Sequence, residues 1–237
     1  MSARCEVLRL HSNEIGPSGA TKLSVALPCS HVTVLDLTDN TIASHGATAL
    51  ARAIGSGAIL QQLYLASNSI SDAGICALAA ALPAGGSLLT HLDLADNGML
   101  DEGATHVASV LGRCSALRHL SLASNQIGEQ GAVRIANALH SHSARLCPCC
   151  REESRSSRDQ TLRPRPPTAH DNAFVASDSA DSEISRGSRS SVGGVGGGGC
   201  ACFSMQVLDV RGNRVGVEGG RRLVAATQPT CLVLLRF

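Results

Sequence analysis

The stretch Leu117–Ala138, LRHLSLASNQIGEQGAVRIANA, holds a whole structural unit. Leu120 and Leu122 alternate with His119 and Ser121, the period of a strand with one buried face. Asn125 and Ile127 follow, then Gly131 and an apolar run through Ile135 to Leu139 at helical spacing. A strand, a turn and a helix succeed one another in this short span.

The unit recurs. Its asparagine stands also at Asn13, Asn40, Asn68, Asn97 and Asn213, with steps of 27, 28, 29 and 28 residues up to Asn125 and then 88 to Asn213. Five residues before it are Leu8, Leu35, Leu63, Leu92, Leu120 and Leu208; three before it are Leu10, Leu37, Leu65, Leu94, Leu122 and Val210. Two after it are Ile15, Ile42, Ile70, Met99, Ile127 and Val215; six after it are Gly19, Gly46, Gly74, Gly103, Gly131 and Gly219. A register kept through six copies marks a stacked repeat. One strand per repeat, always in one direction, predicts a parallel sheet. The asparagine amide is expected to bind backbone groups of its own turn and of the next repeat, which would otherwise be buried unpaired. Ala73–Leu82 is predicted helical, with Ile75, Leu78, Ala79 and Leu82 on one face. Ser44 and Asp72 are expected as N-caps, and Asp101 and Glu102 suit a helix start. The recurring glycine implies close approach of neighbouring elements.

Composition agrees with a core of small aliphatic side chains: aromatics are 2% and Trp is absent. A net charge of +1 gives no general drive toward nucleic acid or an anionic membrane. No signal-peptide run or membrane-spanning stretch is present, so a cytoplasmic location is expected. Ten cysteines then fit a reducing compartment, with Cys5, Cys29, Cys76, Cys114 and Cys231 expected as small buried hydrophobes.

The unit resembles the leucine-rich repeat, and its 28-residue length with a full helix resembles the ribonuclease-inhibitor-like subtype. LDLADNGMLDEGA, Leu92 to Ala104, is similar to repeats of NOD-like receptors and of the Ran GTPase-activating protein. The resemblance covers residues 5 to 139 and 205 to 237. It implies an α/β solenoid, a horseshoe with parallel strands on the concave face and helices on the convex face.

The expected organisation is repeats 1 to 5 in residues 1–139, a disordered insertion in 140–204, and repeat 6 with the start of a truncated repeat 7 in 205–237. The insertion is rich in Ser, Gly, Arg and Pro and offers few large apolar groups to offset its chain entropy. Three readings of it stand: an unselected segment, a phosphorylatable regulatory linker, or a metal site from Cys147, Cys149, Cys150, Cys200 and Cys202 with His140 and His142. Paired C-x-x-C spacing is lacking for the last. Cys5 already fills the first apolar strand position, and LVLLRF begins a further strand. We therefore expect a piece of a longer solenoid that self-associates through uncapped ends.

Enzyme signatures are absent: no G-x-x-x-x-G-K-[ST], no H-E-x-x-H and no G-x-S-x-G. No cofactor or metal is expected. Function is expected on outward strand positions and strand-end turns, as non-catalytic binding of a protein partner. The candidate contact residues are Asp36, Tyr64, His91, Asp93, Asp96 and His119, beside a shallow floor of Ala66, Ala95 and Ala123. Asp39 flanks the same floor, and Tyr64 is the one tyrosine of the chain. The resemblance to the Ran activator implies an alternative, GTPase activation through an arginine in a turn after a strand. Arg214 is the one arginine within five residues after any of the six asparagines, and no acidic tail follows.

Overall fold

A computed structural model describes residues 5–82, 88–111, 114, 116–146, 205–227 and 234–237. Strands and helices alternate. The strands are β1 (Val7–Arg9), β2 (Val34–Asp36), β3 (Gln62–Tyr64), β4 (His91–Asp93), β5 (His119–Ser121), β6 (Val207–Asp209) and β7 (Leu234–Arg236). Between them run α1 (Gly16–Ala26), α2 (Ala43–Gly55), α3 (Ser71–Ala81), α4 (Asp101–Leu111), α5 (Glu129–Leu146) and α6 (Gly216–Thr227). A short 3-10 turn, Leu27–Cys29, follows α1.

The strands form one parallel sheet in sequence order, β1 to β7. Its register is the repeat itself: Leu8, Leu35, Leu63, Leu92, Leu120, Leu208 and Leu235 pair in line. Consecutive helices pack on one another along the opposite side. Strands repeat at about 4.8 Å and packed helices at about 8–10 Å, so the stack must bend with its strands inside. The core lies between the two layers. Leu35, Leu37, Ile42, Leu63, Leu65, Ile70, Leu94, Met99, Leu122 and Ile127 are fully buried there.

The asparagines are buried too, from Asn40 to Asn125. Their direction differs from the expected one: each serves the preceding repeat. Oδ1 of Asn68 accepts the N–H groups of Asn40 at 3.1 Å and Ile42 at 3.2 Å. Oδ1 of Asn97 does the same for Asn68 and Ile70, and that of Asn125 for Asn97 and Met99. The amide Nδ2 of Asn68 donates back to Leu37 O at 2.8 Å and to its own turn at Ala66 O. The carboxamide projects against the turn that precedes it in the stack, where those donors lack a helical or strand partner.

Helix capping also crosses repeats. Residues Ile42 and Ile70 occupy the cap positions of α2 and α3, and no side-chain cap bond forms there. Ser44 and Asp72 lie within the first turns and face the following repeat. Ser44 Oγ donates to Ile70 O, and Asp72 Oδ1 accepts the Leu100 N–H at 2.8 Å. Asp101 Oδ1 accepts from Gly128 at 2.7 Å and Gly131 at 3.0 Å, capping α5. Side-by-side helices bring Asp72 and Asp101 against unpaired N–H groups at the start of the next helix. The glycine column serves this contact: a Cβ on Gly46 would lie 2.9 Å from Ala20 Cβ, and one on Gly219 2.8 Å from Ala132 Cβ.

Repeat 6 docks on repeat 5. Leu120 pairs with Leu208, Leu122 N–H donates to Asp209 O at 2.8 Å, and Ser124 N–H to Arg211 O at 2.7 Å. Helix α5 runs on to Leu146, past the expected boundary at residue 139. The remainder of the insertion, with its cysteines, lies outside the described residues, as does Cys231. Cys5 and Cys29 are exposed, and Cys76 and Cys114 half-buried, which corrects the expectation of buried cysteines. Cys5 sits at the sheet edge and Cys29 closes a surface turn, so neither reaches the core. No helix among the described residues is long and apolar enough to cross a membrane.

Candidate interaction surface

Alternation along each three-residue strand sends the middle leucine into the core and its two neighbours to the concave side. Parallel register then lines these neighbours up into rows. The row after the leucines reads Arg9, Asp36, Tyr64, Asp93, Ser121, Asp209 and Arg236. The row before them reads Val7, Val34, Gln62, His91, His119, Val207 and Leu234. Asp36, Tyr64, His91, Asp93 and His119 are therefore brought together, all half-buried.

The imidazoles of His91 and His119 stack, with centroids 4.1 Å apart and planes 9° from parallel. Burial lowers the pKa of His91 first, and the nearby charges of His119 and Arg118 lower it further. Thr90 Oγ1 lies 2.8 Å from His91 Nδ1 and also 3.0 Å from Gln61 O, to which it donates. The hydroxyl has one hydrogen, so His91 Nδ1–H donates to Thr90 and Nε2 carries the lone pair of the neutral ring. Tyr64 donates its hydroxyl to Gln62 Oε1 at 3.1 Å, tying the two rows together.

Asp96 is placed elsewhere. It lies in the turn beyond the strand, exposed, with φ of 51°, and accepts from Ser67 Oγ at 2.9 Å. Its column, Ser12, Asp39, Ser67, Asp96, Ser124 and Gly212, is left-handed throughout. Short polar residues and glycine tolerate that conformation best, so backbone geometry accounts for the residue type. Asp39 and Asp96 mark the rim, away from the strand rows.

One pair escaped the sequence reading. Asp209 is buried and holds Arg211, whose Nη2 approaches Oδ2 at 2.8 Å. Asp209 stands in the column of Asp36 and Asp93, and a basic residue two positions on was the available signal. Arg214 is exposed, and its backbone N–H donates to Ile127 O at 2.8 Å. Among the described residues no group of three or more His, Cys, Asp or Glu is placed to hold a metal ion.

A family model described as "Leucine Rich repeat" matches residues 6–24, 29–51, 59–79, 87–108, 113–136 and 201–224, more than half of the chain. No curated protein sequence matches. Forty-seven chains of solved structures match. One of them is "Leiomodin-1 Actin-Binding Site 2 (ABS2)", 18% identical, covering 67% of this chain and 89% of that one with a TM-score of 0.49. At that similarity it says nothing of what this chain binds.

Proposed function

The chain belongs to the leucine-rich repeat family, and on that premise we propose that it is a non-catalytic protein-interaction module. Its partner binds the concave rows and the strand-end turns. The observation that carries this reading is the row Asp36, Tyr64 and Asp93 beside the His91–His119 stack, on a sheet face that no described element covers. An aromatic anchor with charged neighbours on a rigid floor is what an interface uses. The carboxylates oppose a phosphate backbone, which argues for protein and against nucleic acid. Repeat length and a full helix per repeat support the ribonuclease-inhibitor-like subtype.

The test is affinity capture with quantitative proteomics, comparing the native chain with a Tyr64→Ala, Asp93→Arg variant and with a convex-face Arg134→Glu control. Proteins lost with the first variant and kept with the control support the concave interface. Identical sets from all three baits would sink it. A second reading, GTPase activation, has Arg214 exposed in the turn after β6 in its favour. Stimulated GTP hydrolysis by Ran that vanishes in Arg214→Ala would favour it, and no stimulation would dismiss it.

A further inference from the structure

Asp36, Asp93 and Asp209 occupy the same position in repeats 2, 4 and 6. Each accepts, through Oδ1, the backbone N–H two residues on: Thr38 at 3.0 Å, Ala95 at 3.0 Å and Arg211 at 3.1 Å. The shared bond presents the three carboxylates alike. At Asp209 the chain supplies its own guanidinium. Arg211 Nε lies 3.1 Å from Oδ1 and 3.2 Å from Oδ2, and Nη2 lies 2.8 Å from Oδ2. In repeats 2 and 4 the place of Arg211 is taken by Thr38 and Ala95, which carry no charge and cannot reach. Among the described residues no hydrogen bond or ion pair engages Oδ2 of Asp36 or Asp93.

We propose that Asp36 and Asp93 receive two arginine side chains of an extended partner segment, as Asp209 receives Arg211. This rests on the concave face being the interaction surface and names the chemistry of its partner. Tyr64 stands between the two carboxylates in the row and offers a ring to the same guanidinium groups. Ala66 and Ala95 keep the floor low beside it. Arginine fits better than lysine because its planar fork meets both oxygens of a carboxylate, as Arg211 does with Nε on Oδ1 and Nη2 on Oδ2. Asp36 and Asp93 are two strands apart, about 9.5 Å. A segment in the polyproline II conformation rises about 3.1 Å per residue and turns every third side chain to one face, so arginines three residues apart match them. Arg9 and Arg236 close the row at its ends and repel a longer basic segment.

The probe is a fluorescent peptide, acetyl-Gly-Arg-Ser-Gly-Arg-Gly-amide, titrated with the full chain by anisotropy at low salt. We expect binding weakened about tenfold or more by a lysine-for-arginine peptide or by Asp93→Asn. Ala95→Arg gives Asp93 a guanidinium from its own chain and must block the peptide, which keeps the test sound should Asp93→Asn fail to fold. Equal affinity for the lysine peptide, or no effect of either variant, overturns the proposal. If the peptide fails while the Tyr64→Ala, Asp93→Arg variant still loses captured proteins, the arginine chemistry falls and the concave interface stands. If capture is unchanged as well, both fall.

Discussion

Ile127 donates its backbone N–H to Oδ1 of Asn213 at 3.1 Å, across 86 residues of sequence. Asn213 Nδ2 returns a bond to Leu122 O at 2.8 Å. Repeat 6 therefore completes repeat 5 with two of the three contacts by which Asn68 joins repeat 2, those to the Ile42 N–H and Leu37 O. Replacing residues 142–204 with the six-residue α2–β3 connection, Ser56 to Gln61, should leave this junction intact. A shorter loop costs less entropy to close, by about 2 kcal/mol at most. Urea unfolding should show equal or greater stability, and amide exchange at Ile127 should stay slow. Loss of that protection would mean the long connection is required for docking.

Asn125→Ala should be far more damaging than Asn13→Ala. Asn125 is buried and satisfies the N–H groups of Asn97 and Met99. Two orphaned buried donors cost about 3 kcal/mol together. Asn13 is exposed, and its Nδ2 donates to Leu10 O and His11 O of its own turn; its loss should cost about 1 kcal/mol or less. Paired denaturant melts measure the difference, and similar costs at both sites would contradict the ladder.

Asp101→Ala should destabilise by about 1 kcal/mol through α5, the helix that Asp101 caps from the neighbouring repeat. Exchange protection at Gly128 and Gly131 should fall first. A defect confined to α4 would instead mean that Asp101 acts only on the start of its own helix.

His91 sets a pH dependence. Its folded pKa lies below the ordinary 6.5, chiefly because burial disfavours the cation. The unfolded chain thus binds more protons in the window beneath 6.5, so stability rises with pH through that window. The contribution is complete above it and lost on acidification past the folded pKa. His91→Gln should flatten this slope, seen by melting at several pH values. A slope unchanged in the variant would remove His91 as its source.

Much of the fold was legible because buried atoms repeat. Leu35, Leu63 and Leu92, Ile42 and Ile70, and Gly46 and Gly74 each mark a contact the next copy must also make. What a column touches was less legible. A carboxamide donates and accepts, so spacing alone could not tell whether Asn68 serves repeat 2 or repeat 4. Ser44 and Asp72 read as caps of their own helices, and Asp101 as an acidic residue suiting the start of its own, because the sequence shows neighbours along the chain, not across the stack. At the surface, alternation brought Asp36, Tyr64 and Asp93 into view. The rim residue Asp96 entered with them because a left-handed backbone and a binding site both favour a short polar side chain. Arg211 was passed over because its role depends on reaching back to Asp209 in space.

The backward reach of the asparagines also bears on the order of events during synthesis. A turn is finished only when the asparagine of the following repeat has emerged from the ribosome. Between most repeats that wait spans fewer than thirty residues, about 1.5–6 s at about 5–20 residues per second. For Ile127 it spans 86, about 4–17 s. Repeat 5 is thus the longest-lived open end of the nascent solenoid, the place where a chaperone would have most time to bind.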